Sequence, residues 1–438
     1  MSVQPVARAS TLPPEQSQLL ETLLADEPEW HRIQRARAAA VYASLPVPER
    51  PRTPLKGRRL ESIPYLQPTA PHAVEPAVLN LAGGPAWAVL SGNRAAALHL
   101  DDDLLQRGVR FEPLREALPT LPDPLASVLG SLQPDDEDRY TALNRAFWSV
   151  GLLCYVPAGL VIDEPLSVVH WVDAEVTGYL PRILVVAEAG ARVHVVETYL
   201  GSTDDTHRVL VSSVVEVLAR EGASVTWSAI QQLPSRAEAF LRRRGRAERD
   251  AHIRWHTAEF GSSLSVAGHA TDLVGAGSSA TSVSVFFGTG TQHQDYTAQV
   301  THRGPHTRSD ILARGVMAER SRSIFTGQSL IAKGAVKSDA RQREQTLMLS
   351  PDARADAIPS LVIDDNDVFA AHAASAGPID ALALHYLESR GLSPREAKRL
   401  VVRGFLAPVL EKLAPEALRL TVEEAVERKL TTLGGDDA

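Results

Sequence analysis

Between about residue 150 and residue 365 the apolar positions come in short bursts. Ile183–Val186, Val193–Val196, Val209–Val215 and Val225–Ile230 are β-branched runs of four to seven residues bounded by turn formers. Small-residue turns recur between such bursts: Glu188-Ala-Gly-Ala-Arg-Val193, Arg220-Glu-Gly-Ala-Ser-Val225, Val274-Gly-Ala-Gly-Ser278 and Ala332-Lys-Gly-Ala-Val336. Gly190 and Gly222 lie 32 residues apart, a degenerate repeat rather than a strict one. One such unit cannot bury its apolar face alone, but stacked units share a continuous core. Few helical patterns interrupt the run. A β-solenoid and a large sandwich both fit, and the Gly-Ala corners favour the solenoid.

The two ends carry a different period. Leu19, Leu20, Leu23 and Leu24 form a stripe at helical spacing behind Pro13-Pro14, and a second helical pattern runs from Glu29 through Tyr42 until Pro46-Val-Pro48 stops it. Residues 46–80 are rich in Pro and Arg and read as an extended arm. At the other end, Asp380 is placed to cap a helix over Ala381–Arg390, which Gly391 ends. Ser393-Pro-Arg-Glu396 reads as a capping box with Pro394 at the first helical position, and Thr421-Val-Glu-Glu424 as another. Leu384, Leu387, Leu400, Val401 and Phe405 supply the apolar faces. These textures divide the chain into an N-terminal helical region with its arm (1–80), a mixed α/β connection (81–149), a β core (150–370) and a C-terminal helical domain (371–438).

Composition narrows the function classes. The chain has 438 residues, 44% of them hydrophobic and 22% charged, enough for a sizeable core. A net charge of −8 repels nucleic acid and anionic membrane. The run Arg242-Arg-Arg-Gly-Arg246, followed by Arg249, is the local exception; it reads as a solvated face or loop, or as a docking patch for an acidic partner. The single cysteine, Cys154, sits in an apolar stretch and reads as buried. This chain alone therefore cannot build a disulfide or an all-thiolate zinc or iron–sulfur site. The first residues lack the apolar centre of a signal peptide, and no stretch approaches the roughly 18 apolar residues of a membrane span. A cytoplasmic address is expected.

Candidate chemistry is sparse. In Asp365–Asp380 a single imidazole, His372, sits among Ala, Ser and Gly. That frame suits either an exposed functional group or a histidine at a subunit contact. His293, Asp295, His302 and His306 form the densest polar cluster, yet their spacing matches no metal motif and reads better as a hydrogen-bonded ladder along stacked strands. Asp339, Asp352, Asp356, Asp364 and Asp367 raise the alternative of a carbohydrate-active solenoid enzyme with a carboxylate pair; as turn formers they need no such role. Gly288-Thr-Gly290 lacks the lysine and helix of a phosphate cradle, and no nucleophile elbow or zincin helix is present.

Asp138-Arg-Tyr-Thr-Ala-Leu-Asn144, Tyr155-Val-Pro-Ala-Gly159, Glu164-Pro-Leu, Gln292-His-Gln-Asp295, Pro305-His-Thr307, Gly315-Val, Ser323-Ile-Phe-Thr-Gly327, Ser338-Asp-Ala-Arg-Gln342, Leu347-Met-Leu-Ser350, the His372 segment and Tyr386-Leu-Glu-Ser-Arg-Gly391 form a set of segments. Together they resemble the SufB/SufD family of iron–sulfur cluster assembly proteins. They fall in the family's order over roughly residues 135–410. The resemblance implies a right-handed parallel β-helix between helical ends, acting as a non-catalytic scaffold. It implies pairing with a SufB-like subunit through the β-helix edges, and docking of a SufC-type ABC ATPase on the C-terminal helices, where Asp380, Tyr386, Leu387, Arg390, Leu400, Arg403 and Phe405 are the candidate contacts. An isolated chain could pair with itself through the same edge. A transient iron–sulfur cluster would be shared with the partner at that junction, none being held stably by this chain. No motif speaks for or against a flavin. Many relatives have cysteine where this chain has Ala370, which marks a SufD-like chain and leaves His372 as the metal-ligand candidate on this side.

Overall fold

The computed structural model describes residues 12–50, 52–55, 74, 76–134, 136–203 and 207–433. Two ten-stranded sheets run side by side, and from Val150 onward all strand pairings are parallel except that of Val150–Val156 with Arg110–Pro113. Successive strands alternate between the sheets: Ser224–Gln231, His252–Glu259, Ser279–Gly288, Arg308–Met317, Asp339–Met348 and Phe369–Pro378 stack in one. Val209–Ala219, Ala237–Ala247, Leu264–Leu273, His293–His302, Arg322–Ile331 and Arg354–Ile363 stack in the other. Antiparallel hairpins make a sandwich; parallel strands that switch sheets at every step make a solenoid. The chain is a parallel β-solenoid.

The repeat read from Gly190 and Gly222 is one coil. Arg192 pairs with Ser224, Ser224 with His252 and His252 with Ser279, so the coil tightens from 32 residues to 28 and then 27. The corners explain the glycines. Gly190 and Gly222 sit at φ 69° and 66°, the left-handed region, and Gly190 donates its N–H to Glu221 on the next coil at 2.8 Å. Asp250 takes the same kind of corner at φ 55°, as a short polar residue can.

The ladder is longer than 150–370. Ala86–Ser91 pairs in parallel with Leu166–Val172, so the sheet already begins within the connecting region. At the far end the strand Phe369–Pro378 carries eight residues beyond 370, so the C-terminal helical domain begins after them. Ala, Ser and Gly have low strand propensity, which hid this last rung.

Inward positions alternate along each strand. Val193, Val195, Val215, Val217, Trp227, Ile253 and Trp255 belong to the buried core between the sheets. Full burial of each such side chain stabilises by about 1.5–3 kcal/mol. Helices cover two outer faces. Pro14–Leu24 and Glu29–Ser44, helical as expected, pack Leu20, Leu23, Ala38 and Tyr42 against Phe147 and Phe240. Most of the Pro- and Arg-rich arm lies outside the described residues.

Three helices follow the solenoid: Ala381–Ser389, Pro394–Leu410 and Glu416–Thr432. Asp380 caps the first through Leu382 N–H at 2.9 Å, and Gly391 at φ 94° follows its end. The capping box of Ser393 and Glu396 forms on the second. The Thr421 box does not: Thr421 lies inside the third helix and donates to the Ala417 carbonyl at 2.9 Å. With Pro415 at its N-cap, the helix already begins at Glu416, six residues before the start that a Thr421 cap would set. The second and third helices fold back along the solenoid flank, where Val402, Leu406, Val409 and Val422 meet Val283, Val285, Phe287 and Val316. The first helix buries none of its residues.

Candidate functional site

The site is built from the last two coils. Asp365 accepts N–H bonds from Gly334 and Asp367, each at 3.1 Å, and Lys337 Nζ meets Asp367 at 2.9 Å, so the turn into the last strand is fixed from the coil beneath. Val368 and Ala370 then pack on Ile331, Ala335 and Ala340. His372 pairs with Gln342 in parallel register. Paired residues of neighbouring parallel strands share a face, about 4.8 Å apart. Along Asp339–Met348, Gln342, Glu344 and Thr346 are buried while Arg341, Arg343 and Gln345 are exposed, so Gln342 and His372 both lie on the inward face. Each sheet ends at this rung, one at Phe369–Pro378 and the other at Arg354–Ile363. His372 is therefore exposed at an open end, with only small side chains beside it.

The polar residues just inside that end are only partly satisfied. Gln342 Nε2 donates to Ser329 Oγ at 2.7 Å and to the Ser360 carbonyl at 3.2 Å. Thr346 Oγ1 donates to Glu344 Oε1 at 2.7 Å. Gln342 Oε1 and Glu344 Oε2 have no partner among the described residues. Burial pushes the Glu344 carboxyl up to about 7.

Further in, Phe286 and Phe325 stack with centroids 6.1 Å apart, and a Cβ on Gly315 would fall 1.8 Å from the Phe286 ring. This apolar plug separates the mouth from a second polar region around Glu197. That carboxylate accepts from Arg243 Nη2 at 3.0 Å, Trp227 Nε1 at 3.1 Å and Tyr199 Oη at 2.7 Å, with His170 Nε2 at 3.2 Å. Burial alone would raise its pKa, but the Arg243 charge and these bonds hold it down at about 2. Two coils on, Glu259 is raised to about 7 by burial, and nearby His269 is lowered to about 3 by burial and the Arg243 charge.

This interior corrects the reading of the basic run. Arg242 and Arg243 are neither solvated nor available to an acidic partner: both are buried in the strand Ala237–Ala247. Arg242 donates to Asp138 at 2.9 Å and Arg243 to Glu197, while Arg244 pairs with Glu137. Alternation along a strand sent Arg243 inward, and the period-two run Val193, Val195, Glu197, Tyr199 supplied its counter-charge.

The other sequence candidates resolve individually. Asp295 accepts from Thr53 Oγ1 at 2.6 Å and Arg50 at 3.0 Å, and His302 meets Thr307 and Ser309 hydroxyls at 2.7 and 2.9 Å. His306 occupies a corner at φ 58°. The bonds tie Asp295 and His293 to the arm and His302 to nearby hydroxyls rather than joining the four residues in one ladder, and among the described residues no group of three His, Cys, Asp or Glu is arranged to hold a metal ion. Asp339 and Asp356 are strand residues rather than turn formers, paired with Arg341 and Arg322 at 2.9 Å. Cys154 is buried, and burial raises its thiol to about 12.

The seven helical candidates divide. Asp380 is spent as a cap; Arg403 bonds Glu427 at 2.5 Å, and Phe405 packs under Arg314 with its carbonyl bonded to the same guanidinium. Leu387 is half-buried. Tyr386 and Leu400 are 57% and 51% exposed, and Arg390 stacks over the Tyr386 ring at 5.2 Å. Sequence reasoning missed Leu382, at 74% the most exposed large apolar residue among the described residues, whose signal was its place in the first turn after the Asp380 cap. It also missed the groove between the second and third C-terminal helices, lined by Ala407, Leu410, Leu420, Glu423 and Glu427.

Fold and site define a class: a parallel β-solenoid flanked by helices, open at one end with a lone imidazole on its last rung. A family model for the SUF system FeS cluster assembly SufBD core domain matches residues 170–405, and one for the SufBD protein N-terminal region matches residues 89–168. The chain is 37% identical over 296 residues to the iron–sulfur cluster assembly protein SufD of Bacillus subtilis, covering 67% of this chain and 68% of that protein. It is 27% identical over 318 residues to an iron–sulfur cluster assembly SufBD family protein of Staphylococcus aureus, covering 73% of this chain and 68% of the relative. The chain belongs to the SufBD family of iron–sulfur cluster assembly proteins and is SufD-like within it. Among the described residues no helix is long and apolar enough to cross a membrane.

Proposed function

We propose that this chain is the SufD-like scaffold subunit of a cytoplasmic SufBCD-type complex. Its open solenoid end pairs with a SufB-like subunit, and its C-terminal helices dock a SufC-type ABC ATPase, which performs the ATP hydrolysis. This chain catalyses no reaction itself. It contributes His372 to an iron–sulfur cluster that forms transiently at the SufB-like junction and is handed on as cargo. The observation that carries this reading is the last rung, an uncovered strand of small residues with one exposed imidazole in its middle. A neutral imidazole is a competent iron ligand, and small neighbours let a partner strand or a cluster approach closely. Leu382, Tyr386 and Leu400 give the C-terminal helices exposed apolar anchors of the kind that interfaces use.

Co-expression with the SufB-like and SufC-type proteins tests the assembly: one complex is expected in gel filtration, and clean separation of the three overturns it. His372→Ala is expected to leave that complex intact while lowering its iron and sulfide content after anaerobic reconstitution. Unchanged content would remove His372 from the cluster.

A further inference from the structure

The C-terminal helices cover only part of one outer face of the solenoid. Outward positions late in the strands, such as Val283, Val285 and Val316, meet those helices. The outward positions that open the strands of the same sheet do not. Arg192 and His194 open one strand, His252 and Arg254 another two rungs on, and Arg308 a third two rungs further. The rungs between them carry serine and threonine at these positions. All share the outer face, because Val193 and Ile253, which alternate with them, lie in the core. Arg192 and Arg308 are exposed and Arg254 is half-buried. At 4.8 Å per rung the three guanidiniums stretch over ~19 Å.

No carboxylate balances this strip. Arg254 donates to Ser224 Oγ at 3.0 Å, and His252 Nδ1 meets Ser279 Oγ at 2.5 Å, so both contacts are with neutral hydroxyls. Among the described residues none of the three arginines forms an ion pair. The corner acids Glu188, Glu221 and Glu248 pair with Arg220 and Arg249 instead. Asp310 and Asp339, at the far edge of the strip, pair with Arg343 and Arg341. Burial and the Arg192 charge push the Arg254 guanidinium below its usual value, as befits a cation without a counter-charge. Burial lowers His194 and His252 to about 4, so at pH 7 they are neutral and add no negative charge. On a chain of net charge −8 the strip is a local reversal of sign.

We infer that this strip is a docking surface for an acidic polypeptide segment, whose carboxylates are received by Arg192, Arg254 and Arg308. Successive arginines stand two rungs, ~10 Å, apart, so one small anion meets only one of them. An extended segment with an acid at every second residue presents a carboxylate about every 7 Å and can engage all three. Guanidinium is weakly hydrated and grips carboxylate with paired N–H bonds, which suits it to this use. The basic docking patch that the run Arg242–Arg246 suggested is thus assembled elsewhere, from residues 62 and 54 positions apart in sequence that the stacked coils bring into line. The strip lies apart from the last rung and needs no property of His372.

The test is fluorescence anisotropy of the full-length chain with a labelled peptide of alternating glutamate and serine, about ten residues long, enough to cross the strip. Saturable binding is expected, weakening about tenfold or more between ~0.1 and ~1 M salt, where the Debye length falls from about 10 to about 3 Å. Arg192→Glu combined with Arg254→Glu should abolish it. Arg192→Gln, at an exposed position, should weaken it about threefold. Absence of binding to the wild type, equal binding of a peptide with glutamine in place of glutamate, or equal affinity in the folded double variant overturns the docking surface. If the double variant fails to fold by circular dichroism, Arg192→Gln decides by the same criterion. Tighter binding of a single-stranded RNA of the same length makes phosphate the ligand, and the acidic-polypeptide assignment then falls.

Discussion

Midway along the solenoid and at its open end, polar side chains point inward from the same strands, and their fates differ. Around Glu197 the charge is cancelled: one carboxylate is met by Arg243, Trp227, Tyr199 and His170. At the mouth, Gln342 and Glu344 each keep an oxygen unmatched among the described residues. Buried polar groups are tolerated when satisfied and costly when not. The middle carries orphaned atoms too, Arg243 Nη1, Glu259 Oε1 and His269 Nε2 among them, so the difference lies in charge: Glu197 has a counter-charge in Arg243, and Glu344 has none among the described residues.

The comparison breaks most visibly at Arg243. Arg243→Met strands Glu197 in the interior, and we expect a loss of about 3–5 kcal/mol in urea unfolding. A loss under about 1 kcal/mol would mean that the middle is no more committed than the mouth. Between the two regions lies the Phe286 plug. Gly315→Ala forces that ring to move and should cost about 1–3 kcal/mol, read in the same assay; a silent variant would mean that the plug is loose.

Glu259 sharpens the contrast through pH. Burial raises its pKa from 4.5 to about 7, so the native state keeps a proton that the unfolded chain releases. Its stabilising contribution is full below pH 4.5 and is lost as pH rises through about 7. Relative to Glu259→Gln, the wild type should lose on the order of 1–3 kcal/mol between pH 5 and pH 8. Unfolding curves at both values check this, and a constant difference contradicts it. The smallest effect is expected at the mouth: His372→Ala should change stability by no more than about 0.5 kcal/mol, because the ring packs on little. A larger loss by calorimetry would return His372 to a packing role.

The fold was legible where local chemistry repeats. Corners such as Gly190 and Gly222 and the caps Asp380 and Ser393 announce themselves, because each meets a backbone need within a few residues. The facing of charged side chains was not legible. In Arg341-Gln342-Arg343-Glu344 both parities are polar, so alternation gives no hint of which side is inside. Arg243 was misread for the same reason, since its partner Glu197 lies 46 residues away. Thr421 shows the converse: a correct local signature was overridden by Pro415 starting the helix earlier. His372 was singled out by its small neighbours, whereas Gln342 beneath it and Glu344 beneath Ala374 become visible only when the coils are stacked.

The attachment of the C-terminal helices has a mechanical consequence. The second helix lies against the strands Ser279–Gly288 and Arg308–Met317, and the third reaches Ser224–Gln231. Ser228 and His256 both bond the loop between those helices at the Ala414 carbonyl, at 2.7 and 3.4 Å. A force applied to these helices enters the solenoid across several rungs at once, as shear. Shear must load many ladder bonds together, whereas a pull on the last rung alone would peel them one after another. The first helix, joined to that rung and burying nothing, is the slack in the linkage. The body can therefore be moved as a rigid beam while its tip stays unstrained.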